Sequence, residues 1–212
     1  LDIAQKHKAI VRVIKDGTRA VSFLQVTTEL FDSSPSDEDE ERERLQIILR
    51  FNPFVNEVFF AKRIVLLEEQ SAIAAFEIAA ELSGLFSRHP HVKRDTTLID
   101  ADGNGQIPIY QKVLNHFQIP YTVVFDEDSR NPNVARIHKK IDALLSGTNN
   151  KSYMISPTNL ENLLGHTATG DKTYQAFKRV KELYSTTGLP DAFLKAMNFV
   201  YLGQEIEPPP GA

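Results

Sequence analysis

RIVLLEEQSAIAAFEIAAELSG, residues 63–84, joins two patterns that between them set the fold class. After Arg63 the chain runs Ile-Val-Leu-Leu and meets two glutamates, which reads as a short buried strand. From Gln70 the Ala, Ile, Phe and Leu residues recur at helical spacing until Gly84, where the helix is expected to end. The same alternation continues downstream. TTLIDA (96–101) is a second strand, and a Gly loop follows. IPIYQKVLNHFQI (107–119) is a helix starting at Pro108, a residue tolerated in a first turn, and YTVVFDED (121–128) is a third strand. A helix near 133–146, a fourth strand at SYMIS (152–156) and three short helical stretches precede a Pro-rich end. Alternating βα units of this kind imply an α/β fold built on a parallel sheet.

Upstream of residue 63 the pattern is different. AIVRVIKDGTRAVSFLQVT (9–27) carries two β-rich runs around Lys15-Asp16-Gly17-Thr18, a hairpin signal that reads as the end of a preceding domain. SSPSDEDEERER (33–44) reads as a solvated linker without chemistry of its own. LQIILRFNPFVNEVFFAKR (45–63) suggests a connecting helix that packs on the α/β units downstream. The expected division is a tail of a preceding domain with its linker over 1–45, an α/β domain over 46–205, and a disordered tail over 206–212.

Composition narrows the function classes. A chain of 212 residues can bury a full α/β core, with or without a helical appendage. Cysteine is absent, which removes disulfides, thiolate metal sites and thiol nucleophiles and makes a cytoplasmic location the default. No apolar run reaches membrane-spanning length, and LDIAQKHKAI lacks both an initiator Met and a signal-peptide pattern, so the sequence reads as part of something longer. With 24 Lys plus Arg against 28 Asp plus Glu, the net charge is −4. Any DNA contact would then be local or bridged by metal ions.

DADGNGQIPIYQ (100–111) resembles a calcium loop in its alternating Asp100, Asp102 and Asn104, but the twelfth position, where a bidentate Glu is needed, is Gln111, and TTLI before it is strand-like. A strand-to-helix turn at the carboxyl end of a parallel strand is the better reading, with Gly103 and Gly105 allowing close backbone approach beside Asn104. Acids in fact end three successive strands: Glu68 after RIVLL, Asp100 with Asp102 after TTLI, and Asp126 with Asp128 after YTVVF. Parallel strands bring those ends to one edge, with the Gly-loop acids expected in the middle. Clustered carboxylates raise one another's pKa unless a cation neutralises them. Oxygen ligands suit Mg²⁺, Mn²⁺ or Ca²⁺ rather than zinc, and two such ions roughly 3.5–4 Å apart could clamp both oxygens of a phosphodiester displacement.

These residues resemble a Toprim fold, in which a strand ends in Glu, here VLLEE, and a later strand ends in DxD, here VVFDED. FAKRIVLLEEQSA (60–72) and IDADGNGQIPIYQKVLNHFQIPYTVVFDEDSRN (99–131) are similar to the carboxyl-terminal region of the OLD (overcoming lysogenization defect) family of ATP-dependent nucleases. ISPTNLENLLG (155–165) and GDKTYQAFKRV (170–180) extend the likeness, which covers about residues 45 to 185. The resemblance implies a mainly parallel Toprim sheet flanked by helices, with helical additions at about 129–150 and 171–202. It also implies a metal-dependent DNA endonuclease using one or two Mg²⁺ or Mn²⁺ ions, with Ca²⁺ as a further option. Such a module is normally joined to an amino-terminal ABC-type ATPase, in phage defence or DNA processing; no membrane is involved and the oligomeric state stays open. Glu68, Asp126 and Asp128 would hold metal, Glu161 would assist, and Lys172 would stabilise charge on the phosphate. Two departures stand out. This chain has Glu69 where the family usually has Gly, and Ala72 where it has another acid, so Glu69, Asp100 and Asp102 are alternative ligands. Asn104 replaces a Lys found in many relatives.

Two other functions compete. FDEDS (125–129) resembles the strand-end motif of haloacid-dehalogenase-like phosphatases, with Asp126 as nucleophile, but that motif normally opens its domain. A catalytically weakened assembly or DNA-docking module is the other, supported by Ala72. His89-Pro90-His91 is expected in an exposed loop after the first helix, and Tyr174, Phe177, Val180, Leu183 and Tyr184 follow helical spacing as core.

Overall fold

The computed structural model describes residues 7–15, 21–25, 27, 58–128, 132–145, 150–156, 159–167 and 170–204. The Asp16-Gly17 turn, the charged run 33–44, most of the connecting segment 45–63 and the tail 206–212 lie outside the described residues. Two strands, β1 (Val11–Lys15) and β2 (Val21–Gln25), pair antiparallel as a hairpin. Arg12 of this hairpin donates from Nη1 to the Gln118 carbonyl at 2.8 Å, which ties it to the main body.

That body is a four-stranded parallel sheet of β3 (Arg63–Leu67), β4 (Thr96–Asp100), β5 (Tyr121–Asp126) and β6 (Lys151–Ile155), in the spatial order β4-β3-β5-β6. The helices are α1 (Gln70–Leu82), α2 (Leu85–Arg88), α3 (Pro90–Asp95), α4 (Ile107–His116), α5 (Pro132–Leu144), α6 (Leu160–Leu163), α7 (Lys172–Thr186) and α8 (Asp191–Leu202).

The apolar run of β3 is explained by cover on both faces. Val65 and Leu67 enter one core with Val124, Ile155 and residues of α1, α7 and α8. Ile64 and Leu66 enter a second with Val123, Phe125, residues of α4, and Ile141 of α5. Alternate side chains of a strand face opposite sides, so a strand covered twice must be apolar throughout. The expected helical additions thus supply core: Phe193 of α8 stacks on Phe76 of α1, with centroids 5.2 Å apart. Along α1 the buried Ala72, Ala75, Ala79 and Ala80 give a low surface, and α7 makes the most extensive helix contact there.

Three expectations need correction, the first being that Tyr174 and Tyr184 of α7 belong to the core: both are exposed, whereas Val180 and Leu183 are buried. His89-Pro90-His91 does not lie in a loop: His89 joins α2 to α3, and Pro90 opens α3, where its fixed φ and missing N–H cost nothing. The Gly-loop acids are not in the middle of the acidic edge either, because β4 is the outer strand and β3 lies between β4 and β5. The chain steps from β3 to β4 and then back across β3 to β5. Consequently the segment after β3 leads to α1 on one face, whereas the segment after β5 leads to α5 on the other. Neighbouring strands whose continuations part in this way leave a crevice at their carboxyl ends.

Candidate metal centre

Glu68 and Asp126 stand at that crevice. Leu67 is in register with Val124, so the residue after β3 lies beside the end of β5, and the Asp126 N–H donates to Glu68 Oε2 at 3.0 Å. Asp126 in turn accepts at Oδ1 from the Leu160 N–H, 3.2 Å away, at the start of α6. A cavity of about 10 Å³ opens between them, lined by Glu68, Glu69, Ala72, Asp126 and Glu161 among others. That volume is enough for about one water-sized guest.

Burial is the main force on both carboxyls. It pushes Glu68 up to about 7, with Asp128 and Glu69 adding repulsion and the Asp126 and Asn104 N–H groups working against it. Asp126 rises to about 8 through burial first and then through Glu68, Glu161, Asp128 and Glu69. Among the described residues no cationic side chain pairs with either.

Lys172, the first residue of α7, instead donates to Glu69, with Nζ 3.3 Å from each carboxylate oxygen. Both partners are substantially exposed, 52% and 41%, and pairs of this kind contribute about 0–1 kcal/mol. Partial burial disfavours the Lys172 charge, but Glu69, Glu161 and Asp126 outweigh it and its pKa is raised. A lysine at a helix start faces the positive end of the helix dipole. Its compensation here comes from the acidic crevice. Glu69 precedes α1 yet makes no side-chain cap; besides Lys172 its carboxylate accepts from Ser71 Oγ at 3.3 Å.

The Gly loop sits to one side. Ala101 and Gly103 donate their N–H groups to the Leu67 and Glu68 carbonyls at 2.8 and 2.7 Å, so the loop continues the β3 edge. Asp100 accepts from the Asp102 N–H at 2.8 Å, and neither acid lines the cavity. Asp102 (φ 59°) and Asp128 (φ 40°) both adopt left-handed backbone, which Asp tolerates better than most residues. Gly103 has φ 103°, a conformation that needs glycine, with nothing within 4 Å of an added Cβ; Asn104 and Gly105 form a 3-10 turn leading to α4. A calcium loop is ruled out by Gln111: it is fully buried, and its Nε2 donates to Tyr121 and to the Ile141 carbonyl.

The structure therefore gathers Glu68, Glu69, Asp126 and Glu161 around one cavity, with Asp128 close enough to repel Glu68 and Asp126, and Lys172 attached through Glu69. Backbone groups that no side-chain pattern announces, the Asp126 and Leu160 N–H donors, hold the carboxylates in place. Among the described residues no three His, Asp or Glu side chains already stand in metal-ligating geometry. An all-oxygen donor set with two partly buried carboxyls that no cation pairs directly nevertheless fits a hard divalent cation, which would reverse both pKa shifts.

Residues 59–128 match the model of the family described as overcoming lysogenization defect protein-like, TOPRIM domain. The match runs from the residues before β3 to Asp128 and so contains Glu68, the Gly loop, Asp126 and Asp128; Glu161 and Lys172 lie beyond it. No curated protein matches the chain. Toprim domains bind divalent metal ions and act on nucleic acids. Residues 59–128, which supply β3, β4 and β5 of the sheet and the Glu68 and Asp126 side of the crevice, are thus similar to a Toprim region of the overcoming-lysogenization-defect family.

Proposed function

We propose that the chain is a divalent-metal-dependent DNA endonuclease module that hydrolyses phosphodiester bonds and works joined to an ATPase. The observation that carries this reading is the partly buried Glu68–Asp126 pair at the switch point of the sheet, two carboxyls with raised pKa and no salt bridge to a cation among the described residues. Such a pair is costly unless a cation occupies the crevice. Glu68, Asp126 and Asp128 are the proposed holders of Mg²⁺ or Mn²⁺, with Glu161 assisting from α6. Bound divalent ions would supply Lewis-acid polarisation of the phosphate and a lowered pKa for the attacking water. The protein's own part is orientation: the Asp126 and Leu160 N–H groups fix the carboxylates, and Lys172 supplies positive charge beside the phosphate as its oxygens gain charge. Asp100 and Asp102, outside the cavity lining, are less suited to hold the same ion. The phosphatase reading gains no support, since Asp126 is surrounded by Glu68, Glu69 and Glu161, a setting that favours a metal ligand over a nucleophile.

A supercoiled-plasmid assay across Mg²⁺, Mn²⁺ and Ca²⁺ with an EDTA control tests the proposal. Nicking should require the metal, and Asp126→Ala should lower the rate by at least about a hundredfold while far-UV circular dichroism stays unchanged. Cleavage at the wild-type rate by folded Asp126→Ala protein would refute the assignment.

A further inference from the structure

Ala72, the third residue of α1, lines the cavity with only 6% exposure, at the position where the resemblance drawn from the sequence leads one to expect a further acid. Its methyl group offers no ligand, and the deficit falls on the side of the cavity facing α1. Glu69 occupies that same side. It lines the cavity together with Ala72, its carbonyl accepts from the Ala72 N–H at 3.1 Å, and its carboxylate leaves the helix end uncapped and turns to Lys172. Glutamate is a poor N-cap, so the Glu69 carboxylate is not committed to the helix end, and its lysine partner is exposed and weakly held.

We propose, resting on the metal-dependent reading of this cavity, that Glu69 is the carboxylate with which this chain replaces the one missing at Ala72. Its ion pair with Lys172 is then the resting arrangement from which a divalent cation draws it. The exchange is easy in physical terms. A half-exposed Lys–Glu pair is weak, whereas a divalent ion among Glu68, Asp126 and Glu161 attracts a fourth carboxylate with twice the charge of an ammonium. Releasing Glu69 also frees the Lys172 ammonium next to the crevice, so metal binding and the placing of a cation for the phosphate become one event. This accounts for two features together: the carboxylates are not yet in ligating geometry, and Lys172 is bound to the one acid that breaks the family's pattern.

The test is Mn²⁺ binding to the full chain, monitored by calorimetry and by the electron paramagnetic resonance of free Mn²⁺, for wild type, Glu69→Gln, Lys172→Met, the double variant, and Glu69→Gln/Ala72→Glu. Glu69→Gln should weaken binding by at least about tenfold. Lys172→Met should tighten it, because the competitor for Glu69 is gone, and that gain should shrink markedly in the Glu69→Gln background, where only the ammonium's repulsion of the cation from beside Glu161 and Asp126 is relieved. Glu69→Gln/Ala72→Glu should recover most of the lost affinity. Wild-type affinity in Glu69→Gln, or an equal Lys172→Met gain in both backgrounds, would overturn the inference while leaving the nuclease reading intact. A wild-type chain that binds no Mn²⁺ would overturn both.

Discussion

Asp126 and Glu68 are held by the backbone but opposed by their surroundings, and that conflict makes the stability of the metal-free protein depend on pH. Both carboxyls titrate higher in the folded chain, at about 8 and about 7, than their ordinary values of 3.8 and 4.5. Between those limits the folded state binds more protons than the unfolded state, so stability falls as pH rises. In EDTA, Tm should therefore decline from about pH 4 to about pH 8, and Asp126→Asn/Glu68→Gln should flatten the decline. Mn²⁺ should raise Tm more at pH 8 than at pH 5, where protons compete for the ligands. Differential scanning fluorimetry reads all three, and an EDTA curve as steep in the double variant as in wild type would place the titrating groups elsewhere. The site residues were legible in the sequence to the extent that strand ends can be read: Glu68 and Asp126 follow apolar runs. What could not be read was which acids share a cavity. Asp100 and Asp102 resemble their neighbours in sequence, yet the outer position of β4 and the bond from the Asp102 N–H to Asp100 set them apart.

At the scale of elements, strands and long helices announce themselves by periodicity, and their ends by glycine. Gly84 (φ 72°) closes α1 as its sequence context indicates. The short helices α2 and α3 escape the same reasoning, since Leu85–Arg88 spans about one turn and too few positions repeat for a period to show. Neither does local sequence reveal how α8 ends. Gly203 has φ 70°, and an added Cβ would lie 2.8 Å from Arg63 Nη2, a guanidinium that donates to the carbonyls of Phe199 and Val200 at the end of α8. Lys151 Nζ donates to the Gly203 carbonyl from the start of β6, so one helix end is fastened to two strands. Gly203→Ala must both adopt left-handed backbone and displace Arg63, and should cost about 1–3 kcal/mol of unfolding free energy in urea. A loss no larger than that of an exposed helical substitution would mean that Arg63 moves aside freely.

At the scale of the whole molecule, the proposed function raises the question of how a chain of net charge −4 would hold DNA at an edge made of carboxylates. DNA binding normally draws most of its affinity from cations that displace condensed counterions. Here Glu69, Asp128 and Glu161, joined by Glu68 and Asp126 where these ionise, would repel the backbone, and Lys172 is already engaged by Glu69. Phosphate can approach only if the crevice changes sign, and divalent ions are the agents that change it. That requirement was open to inference from composition, because the excess of acid over base leaves no global attraction to explain. The fold adds where such a reversal would take place under the proposed function: the crevice between β3 and β5, with Lys172 at its α7 side. Fluorescence anisotropy with a labelled duplex should accordingly show binding in Ca²⁺ or Mn²⁺ that falls by at least about tenfold in EDTA at equal ionic strength. Asp126→Asn should weaken the metal-dependent component and leave the residual binding in EDTA unchanged or slightly stronger, since one carboxylate fewer faces the phosphates. Equal affinity with and without divalent ions would show that DNA is held by another surface, and the acidic crevice would then have to meet its substrate through contacts that owe nothing to metal.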